Sequence, residues 1–342
     1  MPDSPQIGKQ NLRGNPQRVF SAFRRSFFDG SLSENAVFLG SIAVILVFLF
    51  FPSDTAAASG HYLSVFLRVV FPTLFPSMAA GKMLMKGFSG KMRTEHASAE
   101  LPAVLIGWFC GFPAGASAAA ELYKNGVCSA KEAERIAAVS SAASPVFVIS
   151  FVGQMLFGSA RAGIAIEAAQ LSASLITSLI FGKLLPKNND FALPKSRKNG
   201  GNAPVFPGIA DTVVYGITDA ARASVSLCGF LVFFGTVSAH IGKLCLSLGI
   251  SPVVSALLSG VFEITSGCSS AVEACGDTVF SPLFVGFSVG FSGLSVIFQS
   301  LSLLRENGIG CRAFFLSRLL SGFLCSLFCT AAYCLFSALR FI

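Results

Sequence analysis

The sequence predicts an all-α polytopic membrane protein of about seven spanning helices plus two re-entrant helical hairpins, arranged as an inverted repeat. Three observations predict it: the composition, the recurrence of long apolar runs, and the placement of Lys and Arg between them. The 342-residue chain is 53% hydrophobic and 12% charged, with a mean hydropathy of +0.69. Soluble domains carry about 25% charged residues, so a bilayer is the expected solvent.

Residues 1–35 read as a basic cytoplasmic tail, with Lys9, Arg13, Arg18, Arg24 and Arg25 ahead of the first apolar run. That run, Ala36 to Pro52, begins a segment 36–60 made of the first spanning helix and a loop. Its basic flank is too long for a cleaved signal peptide, and apolar runs continue to the C-terminus. Further runs of about 20 residues, enough at about 1.5 Å each to span the hydrocarbon core, lie at 62–86, 136–157, 163–185, 217–237, 279–304 and 313–339.

Two other apolar stretches, 101–121 and 252–274, are broken by Gly, Ser or Pro and carry acidic residues. They read as re-entrant hairpins, because non-helical backbone at membrane depth survives only where protein or a water-filled cavity satisfies it. With the tail inside and both hairpins returning to the face they left, Lys82, Lys86, Lys91, Arg93, Lys124, Lys131, Arg135, Arg305 and Arg312 are cytoplasmic. So are Lys183, Lys187, Lys195, Arg197 and Lys198, and only Arg161, Lys243 and Arg340 fall outside. This is the asymmetry that orients membrane proteins, and counting either hairpin as a crossing spoils it. Residues 186–208 form a flexible cytoplasmic linker between a first repeat, 61–185, and a second, 209–342.

The repeats share a GxSxAxE pattern. Gly115, Ser117, Ala119 and Glu121 match Gly267, Ser269, Ala271 and Glu273. Upstream, Gly107 and Phe109 parallel Gly260 and Phe262; downstream, Ser144 before Pro145 parallels Ser292 before Gly293. Since the first hairpin opens inward and the second outward, the repeats are inverted, the signature of alternating-access transporters with a midplane site.

A charge in the bilayer costs at least about 2.5–3.5 kcal/mol, so each buried ionisable group calls for a reason. Glu121, Glu263 and Glu273 are the expected ion-coupling residues, carrying a proton or a sodium ion; the alternative for Glu121 and Glu273 is that they end their hairpins in headgroup water. Substrate contacts are expected from the hairpin tips, at Gly111, Pro113, Gly115 and Gly267, whose unpaired N–H groups suit an anionic ligand. Ser117 and Ser269 add hydroxyls there, and the same small residues also permit close helix packing. Ser144, Ser292, Ser295 and Gln299 offer donors and acceptors without net charge, as a polar solute needs. Arg318 is the expected grip for a carboxylate, with Arg68 as a candidate that could equally snorkel; Glu167 and Gln170 lie in the span equivalent to that of Arg318 and are expected to pair across the repeats.

No nucleophile with a base, phosphate-binding glycine loop or metal cluster appears in the sequence, and His61, His96 and His240 are scattered, so neither an enzyme nor a cofactor beyond the coupling ion is expected. The ten Cys contain no CxxC and read as small packing residues. Although 25 Lys and Arg against 17 Asp and Glu give a formal charge of +8, they lie between apolar runs rather than in one stripe, which excludes nucleic acid as a partner. The expected partners are a small-molecule solute and the lipid bilayer; a homo-oligomer is compatible with this.

The segment Phe71-Pro-Thr-Leu-Phe-Pro76, the hairpin Gly111-Phe-Pro-Ala-Gly115, the loop Ser129-Ala-Lys-Glu-Ala-Glu-Arg135 leading to Ser144-Pro145, and Gly290-Phe-Ser-Gly-Leu-Ser-Val296 followed by Gln299 together resemble the YlbJ-type sporulation integral membrane proteins over roughly residues 36–340. That family carries nucleoside-recognition Gate domains and is similar to concentrative nucleoside transporters. The resemblance implies a secondary transporter that moves dipicolinic acid during spore formation, placed in the outer forespore membrane with its N-terminus cytoplasmic. Phe109, Phe262 or Phe291 would then cover the ring of the solute. The chain departs from the family in its longer basic tail and in Ser-Ala-Ala-Ser at 141–144. The alternatives are a nucleoside-type transporter, a non-transporting sporulation scaffold in the membrane, and, third, a membrane-embedded enzyme.

Single-cysteine labelling in a Cys-free background tests the topology. Lys124→Cys should react only from the cytoplasmic side and Asp277→Cys only from the outside; reaction of both from one side contradicts the inverted repeat.

Overall fold

A computed structural model describes residues 32–92, 100–184 and 208–338, which are helical with no strand among them. The tail up to residue 31, most of the linker with Lys187, Lys195, Arg197 and Lys198, and also Arg93, His96 and Arg340 lie outside the described residues. The chain divides into two units, Met1–Ser53 and Asp54–Ile342. The first contains α1 (Leu32–Phe50), whose only charge is Glu34; it starts four residues before the expected span.

α2 (Pro52–Val65), which belongs to the second unit from Asp54 onward, and α3 (Phe71–Met92) run on as one helix through a wide π-type segment, Phe66–Val70, so the span expected at 62–86 is part of a longer rod. The first hairpin is α4 (Glu100–Cys110) and α5 (Ala114–Lys124). The span expected at 136–157 is interrupted: α6 (Ala130–Ser140) and the π-type α7 (Phe147–Leu156) are separated by non-helical backbone at 141–144. Next come α8 (Ala160–Leu184) and the 39-residue α9 (Ile209–Ser247), which at about 1.5 Å per residue runs well past the span expected at 217–237. The second hairpin is α10 (Pro252–Phe262) and α11 (Ile264–Cys275). It is followed by another interrupted span, α12 (Phe280–Phe291) and α13 (Gly293–Arg305), and by α14 (Arg312–Ala338).

Among the described residues, five helical segments are long and apolar enough to cross a membrane: Pro52–Gly87, Ala160–Lys183, Ile209–Ser247, Phe280–Arg305 and Arg312–Ala338. The remaining two of the seven expected crossings fall on α1, where the apolar part is Asn35–Phe50, and on the interrupted α6–α7. The protein is a multi-pass membrane protein on these helices.

Each interruption has a local chemical cause. Pro145 has no N–H to give the carbonyl of Ser141 four residues back, and in a helix its ring would clash with that carbonyl, so α6 ends at Ser140 and Ser141 turns extended, at φ −89° and ψ 119°. Gly111, at φ +76°, reverses the chain between α4 and α5, where Pro113 precedes α5. At the second tip the break is a single extended residue, Glu263, at φ −151°. Between α12 and α13 two successive residues are left-handed, Ser292 at φ 78° and Gly293 at φ 72°. For Ser that conformation costs roughly 1–2 kcal/mol, and it persists because the surrounding packing holds it.

The two halves make the same close approaches. A methyl on Gly107 would strike the carbonyl of Ser140 and approach Gly115 Cα to 3.0 Å; one on Gly267 would strike Gly260 Cα and come within 2.6 Å of Ser288 Oγ. Hairpin arms thus touch at Gly107 and Gly115 in one half and at Gly260 and Gly267 in the other, with Ser140 and Ser288 of the interrupted spans in equivalent places. Trp108 pins the first hairpin by donating from Nε1 to the Val139 carbonyl at 3.0 Å. Gly286 and Gly290 of α12 let it lie directly on Cys325 and Ser321 of α14.

Ion pairs close one end of the unit. Arg135 makes a two-pronged bridge to Glu100 at 2.6 and 2.8 Å, and Glu134 accepts from the Ala313 N–H at 2.9 Å, capping α14. At its other end Lys243 lies 2.6 Å from Asp54, and Tyr333 donates to Asp277 Oδ1 at 3.0 Å. Cys325 and Cys329 pack with sulfurs 3.9 Å apart.

Because Cβ atoms at Gly107 and Gly267 would meet backbone rather than movable side chains, Gly107→Ala and Gly267→Ala should each lower the melting temperature of the detergent-solubilised protein by roughly 2–10 °C. Gly229→Ala, with nothing within 4 Å of its Cβ, should leave it unchanged or raise it.

Candidate functional site

All four helix interruptions meet at one cavity of about 50 Å³. The first tip contributes Phe112, the first interrupted span Ser144, the second tip Glu263 and Thr265, and the second interrupted span Ser295. Val70 and Leu74 from the π-type segment and α3, and Leu227 and Leu231 from α9, form its apolar walls. The convergence follows from two backbone-to-backbone contacts. Gly111 packs where a Cβ would lie 2.7 Å from the backbone nitrogen of Ser144, and Gly293 where one would lie 3.0 Å from Glu263 Cα and Ile264 N.

Glu263 is fully buried and caps α11 with its own side chain. Its Oε2 accepts from the Ser266 backbone N–H at 2.7 Å, from Ser266 Oγ at 2.9 Å and from Thr265 Oγ1. Ser266 Oγ, its proton given to the carboxylate, accepts from Tyr62 OH at 2.7 Å, which ties the tip to α2. Glu263 Oε1 has no partner among the described residues. A buried carboxylate held this way has one oxygen fixed by three donors and the other available to a further donor.

The remaining expected residues sit at graded distance from this cavity. Ser144 accepts from the Phe147 N–H at 3.2 Å and starts α7; buried Ser292 bonds the Val289 carbonyl at 3.3 Å. Gln299 is 1% exposed and donates to the Ala223 carbonyl at 3.4 Å, leaving its Oε1 without a partner among the described residues. Gln170 donates to the Ala143 carbonyl at 2.9 Å, satisfying backbone in the first interruption.

Arg318 is buried behind the cavity rather than in it. Its guanidinium reaches the Ala138 carbonyl near the end of α6 at 3.4 Å and lies 5.7 Å from the centre of the Phe112 ring, which faces the cavity from the other side. The pairing expected for Glu167 is not formed: both its oxygens lack a partner among the described residues. Arg68 is exposed on the π-type segment. The ring cover expected from Phe109, Phe262 or Phe291 falls elsewhere: Phe109 is 61% exposed, Phe291 packs on Phe287 and Gly322, and the aromatic walls of the cavity are Phe112 and Phe147.

Two larger vestibules flank the cavity, and α9 serves as the ruler. The first, about 320 Å³, meets α9 between Tyr215 and Ser226 and is lined by Pro113, Ser117 and Glu121 of the first hairpin. The second, about 300 Å³, meets the other end of α9 at Gly242 and Leu246 and is lined by Ser255, Ser270 and Glu273 of the second hairpin. Leu227 and Leu231 of the central cavity lie between them. Hence the two hairpins open toward opposite ends of α9. Glu121 and Glu273 belong to these vestibules and not to the cavity, Gly115 and Gly267 serve hairpin packing, and Ser269 lines none of the three spaces.

Several residues of the site carry no assigned role in the sequence reading. In the first vestibule Lys82 lies 2.5 Å from Asp219 and donates to Ser117 Oγ, with Arg222 on the same wall. Asp219 and Arg222, three apart within an apolar run, are the available signal; Lys82 reads as one more basic residue at a helix end. Tyr62 and Phe112 give no signal, since buried aromatics occur throughout.

The chain is 26% identical over 316 aligned residues, covering 81% of it and 77% of the relative, to the Sporulation integral membrane protein YlbJ of Bacillus subtilis (strain 168). It resembles the YlbJ-type sporulation membrane proteins. No family model and no solved structure matches the chain.

Proposed function

We propose that this protein is a secondary transporter that moves a small polar or anionic solute by alternating access, with dipicolinic acid as the first candidate. The observation that carries the reading is the meeting of the four helix interruptions at a cavity with one larger vestibule on either side. In this reading the hairpins are re-entrant, the two halves form an inverted repeat, and the basic end with Lys82, Lys124 and Arg305 is cytoplasmic, with the N-terminus on that side. Dipicolinate and, in a spore former, the outer forespore membrane are what the family resemblance in the sequence implies; the similarity to a sporulation integral membrane protein supports a role in sporulation.

At about 50 Å³ the cavity holds only a few waters, so the solute enters when a tip withdraws. Movement of the first tip takes Phe112 off Arg318 and offers the solute a guanidinium that has one long hydrogen bond to give up. A planar dicarboxylate then meets that fork at one end and the hydroxyls of Ser144, Thr265 and Ser295 along the cavity wall. Glu263, on the second tip, binds the coupling proton or sodium ion at Oε1 and thereby links ion occupancy to the position of that hairpin.

Uptake by reconstituted proteoliposomes, with dipicolinate and uridine compared, tests this. Dipicolinate should accumulate; absence of uptake of either solute favours a scaffold. Glu263→Gln should retain solute exchange at equal concentrations and lose accumulation against a gradient. Arg318→Ala should reduce dipicolinate uptake more than about tenfold, with partial recovery in Arg318→Lys because a single ammonium cannot form the fork. Unimpaired uptake by folded Arg318→Ala removes Arg318 from the site.

A further inference from the structure

A buried polar face runs along α8 at the spacing of one helix stripe: Glu167, Gln170, Ser174 and Thr177 are each at most 6% exposed. Both oxygens of Glu167, Gln170 Oε1, Ser174 Oγ and Thr177 Oγ1 have no hydrogen-bond partner among the described residues. α14 packs on α8 in the opposite direction, since Phe181 shares a buried cluster with Ala313 while Glu167 lies within electrostatic reach of Cys325. On α14, Arg318 Nε and Ser321 Oγ are unpartnered as well. Buried polar atoms are costly to leave unmet, and the costliest here is the carboxyl.

The surroundings give Glu167 no compensating charge. α7 and α12, which pack on α8, carry no titratable residue, and α14 presents the thiols Cys325 and Cys329, with Arg318 two turns further along from Cys325. The charged residues of α6 lie in its first half, before Ala138 and Val139, which pack with Phe181 at the far end of the seam. Arg161 and Lys183 stand near the two ends of α8. One turn from Glu167 the helices are pressed together, because a Cβ on Gly153 of α7 would lie 2.4 Å from Gly163 Cα. Sulfur on the facing wall and so close an approach suit a proton, which needs one oxygen, better than a hard metal ion, which takes a shell of them. Gln170 gives the way to water: its Nε2 donates to the Ala143 carbonyl at 2.9 Å, and Ala143 lines the central cavity.

We propose that Glu167 is a second proton-binding carboxyl, set in the helix scaffold rather than on a hairpin, and that it exchanges its proton with the central cavity past Gln170. Binding forms one O–H bond at a Glu167 oxygen with a proton taken from water in the cavity, and release returns the proton there. The neutral acid removes the charge from the seam and carries a donor within one helical turn of Gln170 Oε1. What this proton contributes to solute movement rests on the transport reading above; proton binding itself does not.

Infrared difference spectra between the purified full chain and Glu167→Gln, both in detergent, read the carboxyl directly. The expected result is a carboxylic-acid C=O band at acid pH that gives way to carboxylate bands at alkaline pH, the same in sodium chloride as in choline chloride. A band at both pH values marks a permanently neutral acid and a band at neither a permanent anion; either overturns the proposal, as does loss of the acid band in sodium, the mark of a metal-ion site. In heavy water the band should move as O–H becomes O–D, several-fold more slowly in Gln170→Leu, and an equal rate overturns the route past Gln170. Should Glu167→Gln fail to fold, Glu167→Asp decides: the titrating acid band should change position, and an unmoved band overturns the assignment. A titrating Glu167 without solute uptake in proteoliposomes would refute the transport reading and leave the proton site standing; uptake without the band would do the reverse.

Discussion

The architecture depends on the way each hairpin tip is pressed against an interrupted helix. Gly111 lies on the backbone of Ser144, and Gly293 lies on the backbone at Glu263 and Ile264. A chain break inside a membrane protein leaves N–H and C=O groups without helical partners, and lipid cannot supply any. Here the breaks are gathered in one place, where Gln170 serves the Ala143 carbonyl, Arg318 the Ala138 carbonyl and Glu263 the N-terminus of α11. Glycine at the contacts is what lets two backbones come this close, and the gathering of breaks is what makes a polar site there.

A hairpin is two short helices joined to the rest at one end, and the first tip stands between the central cavity, which Phe112 lines, and its vestibule, which Pro113 lines. The tips differ in chemistry: the first presents Phe112 with Arg318 behind it, the second presents a carboxylate locked on one oxygen by Thr265 and Ser266. In a carrier, that division assigns solute sensing to one hairpin and ion sensing to the other. Alternation then amounts to which tip is seated.

Much of this was legible in the sequence because it rests on residues with special backbone properties. Gly111 with Pro113, Pro145, and Ser292 with Gly293 mark three of the interruptions, and the GxSxAxE pattern led to Gly115 and Gly267 as equivalent packing points. The direction in which a side chain faces was not legible. Arg318 and Glu167 lie on adjacent helices, each early in its own, and it is the opposite direction and the rotation of those helices that let Arg318 reach Ala138 while Glu167 meets no partner among the described residues. Ser269 matches Ser117 in sequence, yet Ser117 meets Lys82 and Ser269 faces none of the three spaces. Lys82 itself was hidden, because a basic residue at a helix end has the same sequence appearance whether it sets topology or holds a hairpin.

Alternating access to one central site is the claim on which the account stands. A cysteine placed by Ser295→Cys in a Cys-free background, inside the cavity formed by the four breaks, measures it most directly. The account predicts that a membrane-impermeant thiol reagent modifies this cysteine from either side of sealed vesicles during turnover, and that dipicolinate slows both reactions. Modification from a single side under every condition, with no effect of solute, would contradict it.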